Sequence, residues 1–148
     1  YLNGMEGHCL PDKFLNMGPL GGLLTAFHKH PEASWLVLAC DLPYVSKENL
    51  EQLIKGRNFF KKATCFKNPE KGWPEPLCTI YEPGAVKAFH QYLALGVVCP
   101  RKVLMNVPHE LLEVNSELVL QNINTPEGYK EAKSKTKLSV FENEGNYQ

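Results

Sequence analysis

Trp35-Leu36-Val37-Leu38-Ala39-Cys40-Asp41-Leu42-Pro43 is the stretch that decides the fold class. Its unbroken apolar run, Trp35 to Cys40, reads as a short strand covered on both faces, the habit of strands inside parallel sheets. The run stops on a carboxylate, and Pro43 cannot donate to a sheet ladder. Open α/β sheets gather their ligands outside the carboxyl ends of strands, which is where Asp41 stands. Carboxylate oxygen suits Mg²⁺, and Mg²⁺ commonly arrives with substrate phosphates. Read by itself, Asp41 can equally be a side chain that caps the next turn.

The neighbouring segments extend the pattern. Gly18-Pro19-Leu20-Gly21-Gly22 opens a stretch in which Leu20, Leu23, Leu24 and Phe27 recur at helical spacing to about His30. Pro19 suits a first helical turn, where its missing N–H costs nothing. Ser46 can cap a helix carrying Leu50, Leu53 and Ile54 that Gly56 ends. Lys62–Phe66 and Leu77–Tyr81 read as strands flanking the loop Asn68–Pro76, which holds three prolines. Residues 84–95 read as a helix stopped by Gly96, and Arg101–Asn106 as a short helix closed by Pro108. Leu111–Val114 and Leu118–Leu120 read as short strands or extended segments, and Thr125 can cap a last helix with Pro126 in its first position.

Strands alternating with helices predict a three-layer α/β fold around a mostly parallel, doubly wound sheet. The division expected is one domain over residues 1–133 and a polar tail over 134–148. Lys and Arg number 16, as do Asp and Glu, so no electrostatic footprint points to nucleic acid or an anionic membrane. No apolar run is long enough to span a bilayer, and no secretory leader pattern opens the chain. Cys9, Cys40, Cys65, Cys78 and Cys99 are odd in number and contain no C-x-x-C pair. They read as small core residues in a reducing cytoplasm. The five histidines show no metal-ligand spacing, and no nucleophilic triad can be assembled.

Four motifs bear on chemistry. The glycine-opened helix start at Gly18 offers free backbone N–H groups to an anion, or serves only close packing. Asp12 lies six residues before it, in the loop entering the same helix. Glu75-Pro76-Leu77-Cys78 is an ordinary proline-stiffened strand entry by itself. Asn122-Ile123-Asn124-Thr125-Pro126 is a strand end followed by a cap, or a pair of amides presented to a polar ligand. Arg101, between Pro100 and Lys102, is a solvated base or a phosphate ligand.

In this order the motifs resemble the molybdenum cofactor guanylyltransferase family. That family carries an aspartate before a Gly-Pro-Leu-x-Gly helix start, then a buried strand ending Cys-Asp-x-Pro. A Glu-Pro-Leu-Cys strand entry and an Asn-x-Asn-Thr-Pro-Glu motif follow. Asp12, Gly18–Gly22, Cys40–Pro43, Glu75–Cys78 and Asn122–Glu127 match them, and the resemblance covers about residues 10–133. It implies a nucleotidyltransferase variant of the doubly wound fold and transfer of GMP from GTP to molybdopterin with release of pyrophosphate. Asp41 would be the catalytic Mg²⁺ ligand. Asp12, Gly18, Pro19, Leu20 and Gly22 would contact the nucleotide together with Asp41. Asn122, Asn124 and Arg101 would face the molybdopterin. Contact with molybdoenzyme-maturation proteins, and a monomer or weak homo-oligomer, complete the expectation. The alternatives are a related cytidylyl- or sugar-nucleotide transferase and a non-catalytic nucleotide-binding remnant.

The resemblance departs at the start of the chain. The family's Leu-Ala-Gly-Gly loop with its following Arg and Lys is absent, and residues 1–11 contain neither basic residue. The expectation is a piece of a longer polypeptide, without its N-terminal βα unit, that does not catalyse the transfer alone.

Overall fold

The computed structural model describes residues 9–132 and 134. The remainder of the expected tail lies outside the described residues. Strands β1 (Trp35–Leu38), β2 (Ala63–Lys67), β3 (Pro74–Tyr81) and β4 (His109–Leu112) form one sheet in the order β1-β3-β2-β4. Helices α1 (Pro19–Lys29), α2 (Lys47–Lys55), α3 (Ala85–Ala94) and α4 (Pro100–Leu104) pack around it. A further helix runs from residue 126.

Side-chain alternation along the sheet splits the core in two. Cys65 and Tyr81 face a cluster with Leu20, Leu24, Phe27 and Phe89, supplied by α1 and α3. Phe66, Cys78 and Ile80 face a second cluster with Leu53 of α2 and Val119. Helices therefore cover both faces, and the three-layer α/β architecture stands.

The sheet is mixed rather than mostly parallel. Only β2 and β4 run parallel, whereas β1 and β2 are both antiparallel to β3. The cause is local. Asn68 N–H donates to the Trp73 carbonyl at 2.8 Å and Gly72 N–H to the Asn68 carbonyl at 2.8 Å, with Gly72 at φ 72°. That short link between β2 and β3 is a hairpin turn, and a hairpin forces antiparallel pairing. The β2–β3 ladder is interrupted between Cys65 and Lys67, which accommodates Pro76 opposite.

β1 is shorter and less covered than its sequence implies. It lies at the end of the strand order, and α2 packs on β2 and β3. Trp35 and Val37 therefore pack on the first cluster while Leu36 and Leu38 remain 42 % and 46 % exposed. Leu118–Leu120 is not extended but belongs to a 3₁₀ turn, Glu117–Leu120, because the Ser116 hydroxyl accepts the Leu118 N–H and tightens the chain. The core reading holds for Cys65 and Cys78, which are buried. Cys9 and Cys40 are exposed and Cys99 is half-buried, since they lie beyond the strands.

The remaining helix signals are realised where expected. Pro19 occupies the first turn of α1. Ser46 caps α2 in a reciprocal capping box with Asn49, whose side-chain oxygen accepts the Ser46 N–H at 2.9 Å. Thr125 caps the helix from residue 126, its hydroxyl accepting the Gly128 N–H at 3.1 Å.

Candidate active site

The chain leaves β1 through a turn in which Ala39 N–H still donates to the Leu77 carbonyl of β3 at 2.8 Å. This last rung fixes Asp41 just outside the carboxyl end of β1. Asn122 reaches it from the far end of the domain: its Nδ2 donates to Asp41 Oδ2 at 2.8 Å, across 81 positions of sequence. The next residue repeats the link through the backbone, Ile123 N–H donating to the Asp41 carbonyl at 2.9 Å. Asp41 Oδ1 is buried and accepts no hydrogen bond. A buried carboxylate oxygen without a donor is costly unless something positive meets it.

α1 supplies the facing wall. Gly18 holds φ 53° at its N-cap, a conformation that favours glycine. Gly21 admits no side chain, because a Cβ there would collide with the Phe14 backbone oxygen. The preceding loop is tied down by Lys13 N–H donating to Thr25 Oγ1 at 3.0 Å, and Asp12 Oδ1 comes beside Gly22. Pro19, Gly22, Val37, Cys40, Asp41 and Leu77 thus line a cavity of about 470 Å³. A second cavity of about 410 Å³ adjoins it across Pro19 and Leu77, with Gly18, Pro76, Val98 and Arg101 in its walls.

Pro19, Gly22 and Asp41 line the first cavity, and Gly18, Pro19 and Arg101 the second; Asp12 approaches only through Gly22, and Asn122 holds Asp41 from outside, lining a separate hollow with Asn68 and Gln121. Leu20 is different. It is fully buried in the first core cluster, so it packs α1 and presents no surface to a ligand. Asn124 is exposed two residues beyond Asn122.

Two residues near the cleft were not legible as neighbours of its groups. Glu75 is half-buried, and its Oε1 accepts the Leu77 N–H at 3.0 Å. Burial pushes its carboxyl above the ordinary range. The Leu77 hydrogen bond and the charges of Arg101 and Lys71 oppose that rise, while Asp41 adds to it. Trp73 carries the Arg101 guanidinium 4.4 Å from its ring centroid and Lys71 Nζ at 5.4 Å. The only sequence signal was an aromatic residue set in a basic, proline-rich turn. Among the described residues no group of three or more His, Cys, Asp or Glu side chains could hold a metal. No described helix is long and apolar enough to cross a membrane.

A layered α/β sheet with a carboxylate at a strand's carboxyl edge, beside a glycine-opened helix, defines the class of domains that hold phosphorylated ligands at strand ends. The family model for the MobA-like NTP transferase domain matches residues 1–121, and the chain belongs to that family. It is 37 % identical over 120 residues to a molybdenum cofactor biosynthesis bifunctional protein from Synechocystis, covering 81 % of this chain and 35 % of that one. It is 32 % identical over 119 residues to a probable molybdenum cofactor guanylyltransferase from Flavobacterium johnsoniae, covering 78 % and 61 %. The crystal structure of molybdopterin-guanine dinucleotide biosynthesis protein A from Archaeoglobus fulgidus superposes with a TM-score of 0.64 at 26 % identity, covering 81 % of this chain and 63 % of that one. The chain thus spans less than two thirds of the length of these relatives.

Proposed function

We propose that this domain takes part in transfer of GMP from GTP to molybdopterin, releasing pyrophosphate, in the synthesis of molybdopterin guanine dinucleotide. The observation that carries the reading is the Asp41 carboxylate. One oxygen is held by Asn122, and the other is buried and unmatched beside the N-terminus of α1. Asn122 fixes the carboxylate plane and leaves Oδ1 for a cation. That donor set fits Mg²⁺, which uses one or two protein carboxylates and fills its remaining positions with water and phosphate. Bound there, Mg²⁺ would neutralise charge on the nucleotide phosphates during an in-line displacement.

The chain's own groups do the positioning. The N-terminal turn of α1 presents backbone N–H groups and the positive end of its dipole to phosphate. Asp12, an acceptor-only group beside Gly22, suits the N–H edge of guanine. Asn124 and Arg101 are assigned to the acceptor, Arg101 from the second cavity. Molybdoenzyme-maturation proteins as partners, a monomeric or weakly self-associating state and a cytoplasmic location belong to the same reading.

Calorimetric titration of the full chain with GTP and with CTP in Mg²⁺ tests it. GTP should bind at least about tenfold more tightly, and Asp41→Ala should weaken GTP binding by about tenfold or more. Equal affinity for the two nucleotides points to a related cytidylyl- or sugar-nucleotide transferase. Unchanged GTP binding in Asp41→Ala removes the metal role of Asp41.

A further inference from the structure

The turn from α2 into β2, Lys55-Gly56-Arg57-Asn58-Phe59-Phe60-Lys61-Lys62, carries four cations and no acid. Trp35 pairs with Tyr81 and Tyr81 with Ala63, so the turn stands at the opposite end of β1 from Asp41. It is pinned throughout. Asn58 N–H donates to Thr64 Oγ1 at 3.0 Å, Asn58 Nδ2 to Glu110 Oε2 at 2.8 Å and Lys62 N–H to the Pro108 carbonyl at 2.8 Å. Phe60 N–H donates to Asn58 Oδ1 at 3.0 Å and Lys61 N–H to the Asn58 carbonyl at 3.1 Å. Phe59 has the Arg57 guanidinium 4.2 Å from its ring centroid, whereas Phe60 is 97 % exposed. Single apolar side chains scattered on a surface are ordinary, but a phenyl ring on a turn already fixed in place loses little further freedom on binding.

A complementary hollow lies beside it. Glu48, Glu51, Gln52 and Lys55 of α2, Gly56 at its end and Leu112 of β4 enclose about 510 Å³. Leu112 packs directly on Gly56, where a Cβ would meet Leu112 Cδ1 at 2.6 Å. Gln52 joins the walls, its Nε2 donating to the Glu113 carbonyl at 2.8 Å. Glu110 and Leu112 are two residues apart on β4 and so share one face of it. Asn58 thus fastens the turn next to the hollow, along the same outer edge of the sheet. Glu48 on the rim is in none of the described ion pairs, and neither is Lys61 beside Phe60.

We propose that this edge binds a second copy of the chain, Phe60 of each copy entering the α2–β4 hollow of the other and Lys61 of each meeting the partner's Glu48. Gly56 lines the hollow and precedes Phe60 by four residues, a length of chain that spans at most about 14 Å. Ring and hollow therefore belong to one patch. A patch that carries both a projection and its own complement is satisfied twice about a two-fold axis, which closes the assembly at two copies. The ring supplies an aromatic anchor for an apolar floor, and two otherwise unmatched opposite charges pair at its side. The cleft lies at the other end of the sheet, so the association does not rest on the transferase reading.

Sedimentation equilibrium of the full chain from about 5 to about 500 µM provides the test. The chain should dimerise with a dissociation constant below about 100 µM. Phe60→Ser should weaken association about thirtyfold or more with an unchanged melting temperature, since the exposed ring has no packing to lose. Phe60→Tyr should stay within about threefold. Lys61→Glu should weaken association about tenfold or more, and Lys61→Glu combined with Glu48→Lys should recover it to within about threefold. A chain still monomeric at about 500 µM overturns the proposal. A dimer indifferent to Phe60→Ser but lost in Leu38→Lys also overturns it, because association then runs through the outer edge of β1. So does a charge exchange that restores nothing in a chain that melts like the parent. Phe60-dependent co-sedimentation of a monomeric chain with phosphatidylserine–phosphatidylcholine vesicles overturns it as well, and assigns the turn to an anionic membrane surface.

Discussion

Glu82 and Arg57 hold the end of the sheet opposite the cleft, and cutting either one exposes how unequal the two partners are. Arg57 Nε and Nη2 donate to the two Glu82 oxygens at 2.7 and 2.9 Å, and Ser34 Oγ donates to the same carboxylate at 2.7 Å. The bonds tie the start of β1 to the end of β3. Only 8 % of the Glu82 side chain is exposed, against 27 % for Arg57. Breaking one side of a buried pair costs about 3–5 kcal/mol, mostly because the other charge is left alone. A lone guanidinium at position 57 can turn to water and still lie over Phe59, whose ring is 4.2 Å away. A lone Glu82 has no such exit. Arg57→Ala should therefore cost about 3–4 kcal/mol and Glu82→Ala about 2–3 kcal/mol, and the Arg57→Met/Glu82→Leu double variant should stay within about 1 kcal/mol of the parent. At this chain length each kcal/mol moves the melting temperature by about 2–4 °C.

The pH dependence separates the variants further. In the parent the Arg57 hydrogen bond holds the Glu82 carboxyl below its ordinary 4.5, against the opposing pull of burial. A lowered folded pKa contributes stability that is present above the unfolded value and lost as pH falls through the folded one. Without Arg57, burial outweighs the one remaining hydrogen bond from Ser34, and the carboxyl moves above its ordinary value. That contribution has the other sign: it is present below the unfolded value and lost as pH rises through the folded one. The stability gap between parent and Arg57→Ala should be widest near neutrality and narrow on acidification. Urea unfolding at a series of pH values, read as midpoint shifts at constant slope, measures it. A gap that does not change between about pH 4 and about pH 7, or a Glu82→Ala variant less stable than Arg57→Ala, would refute the reasoning.

Other outcomes follow from the same contacts. Burial, with the charge of Glu75, pushes the Cys65 and Cys78 thiols up to about 12, so neither should react with iodoacetamide in the folded protein; Cys40 should, as peptide mass spectrometry would show. Gly21→Ala should cost about 1–3 kcal/mol in urea unfolding, since its Cβ meets the Phe14 backbone. Asn122→Ala should lose about 1–2 kcal/mol of local stability, read as faster hydrogen exchange at the Ile123 amide, while Asn124→Ala should leave that amide protected.

Local signals in the sequence were legible because they depend on neighbours only. Pro19, Ser46, Gly56 and Thr125 mark helix ends where they stand, and each does so by satisfying or omitting a terminal N–H or carbonyl. Strand direction was not legible, because it depends on the partner. The apolar run from Trp35 says strand, but its coverage is set by α2 packing on β2 and β3 instead. In the cleft, Asp41 and Asn122 were readable from residue type and position relative to predicted elements. Leu20 was read with its glycine neighbours, yet a helix turns it into the core. The stacking of Arg101 on Trp73 and the raised Glu75 carboxyl escaped because they arise where a hairpin turn meets α4, which no spacing in the chain announces.

The bond between Asn122 and Asp41 also sets a condition on when the cleft can exist. Its partners are separated by 81 positions, so the carboxylate is oriented only after β2, β3 and β4 have been made and packed. During synthesis, a chain that has reached β1 already displays Asp41 but nothing yet orients that side chain. Closing so long a loop is among the late events of folding, since its entropy must be met by contacts formed earlier. The Asp41 carboxylate thus has no fixed orientation until residue 122 has left the ribosome, and its bond to Asn122 reports that the segments between them have packed.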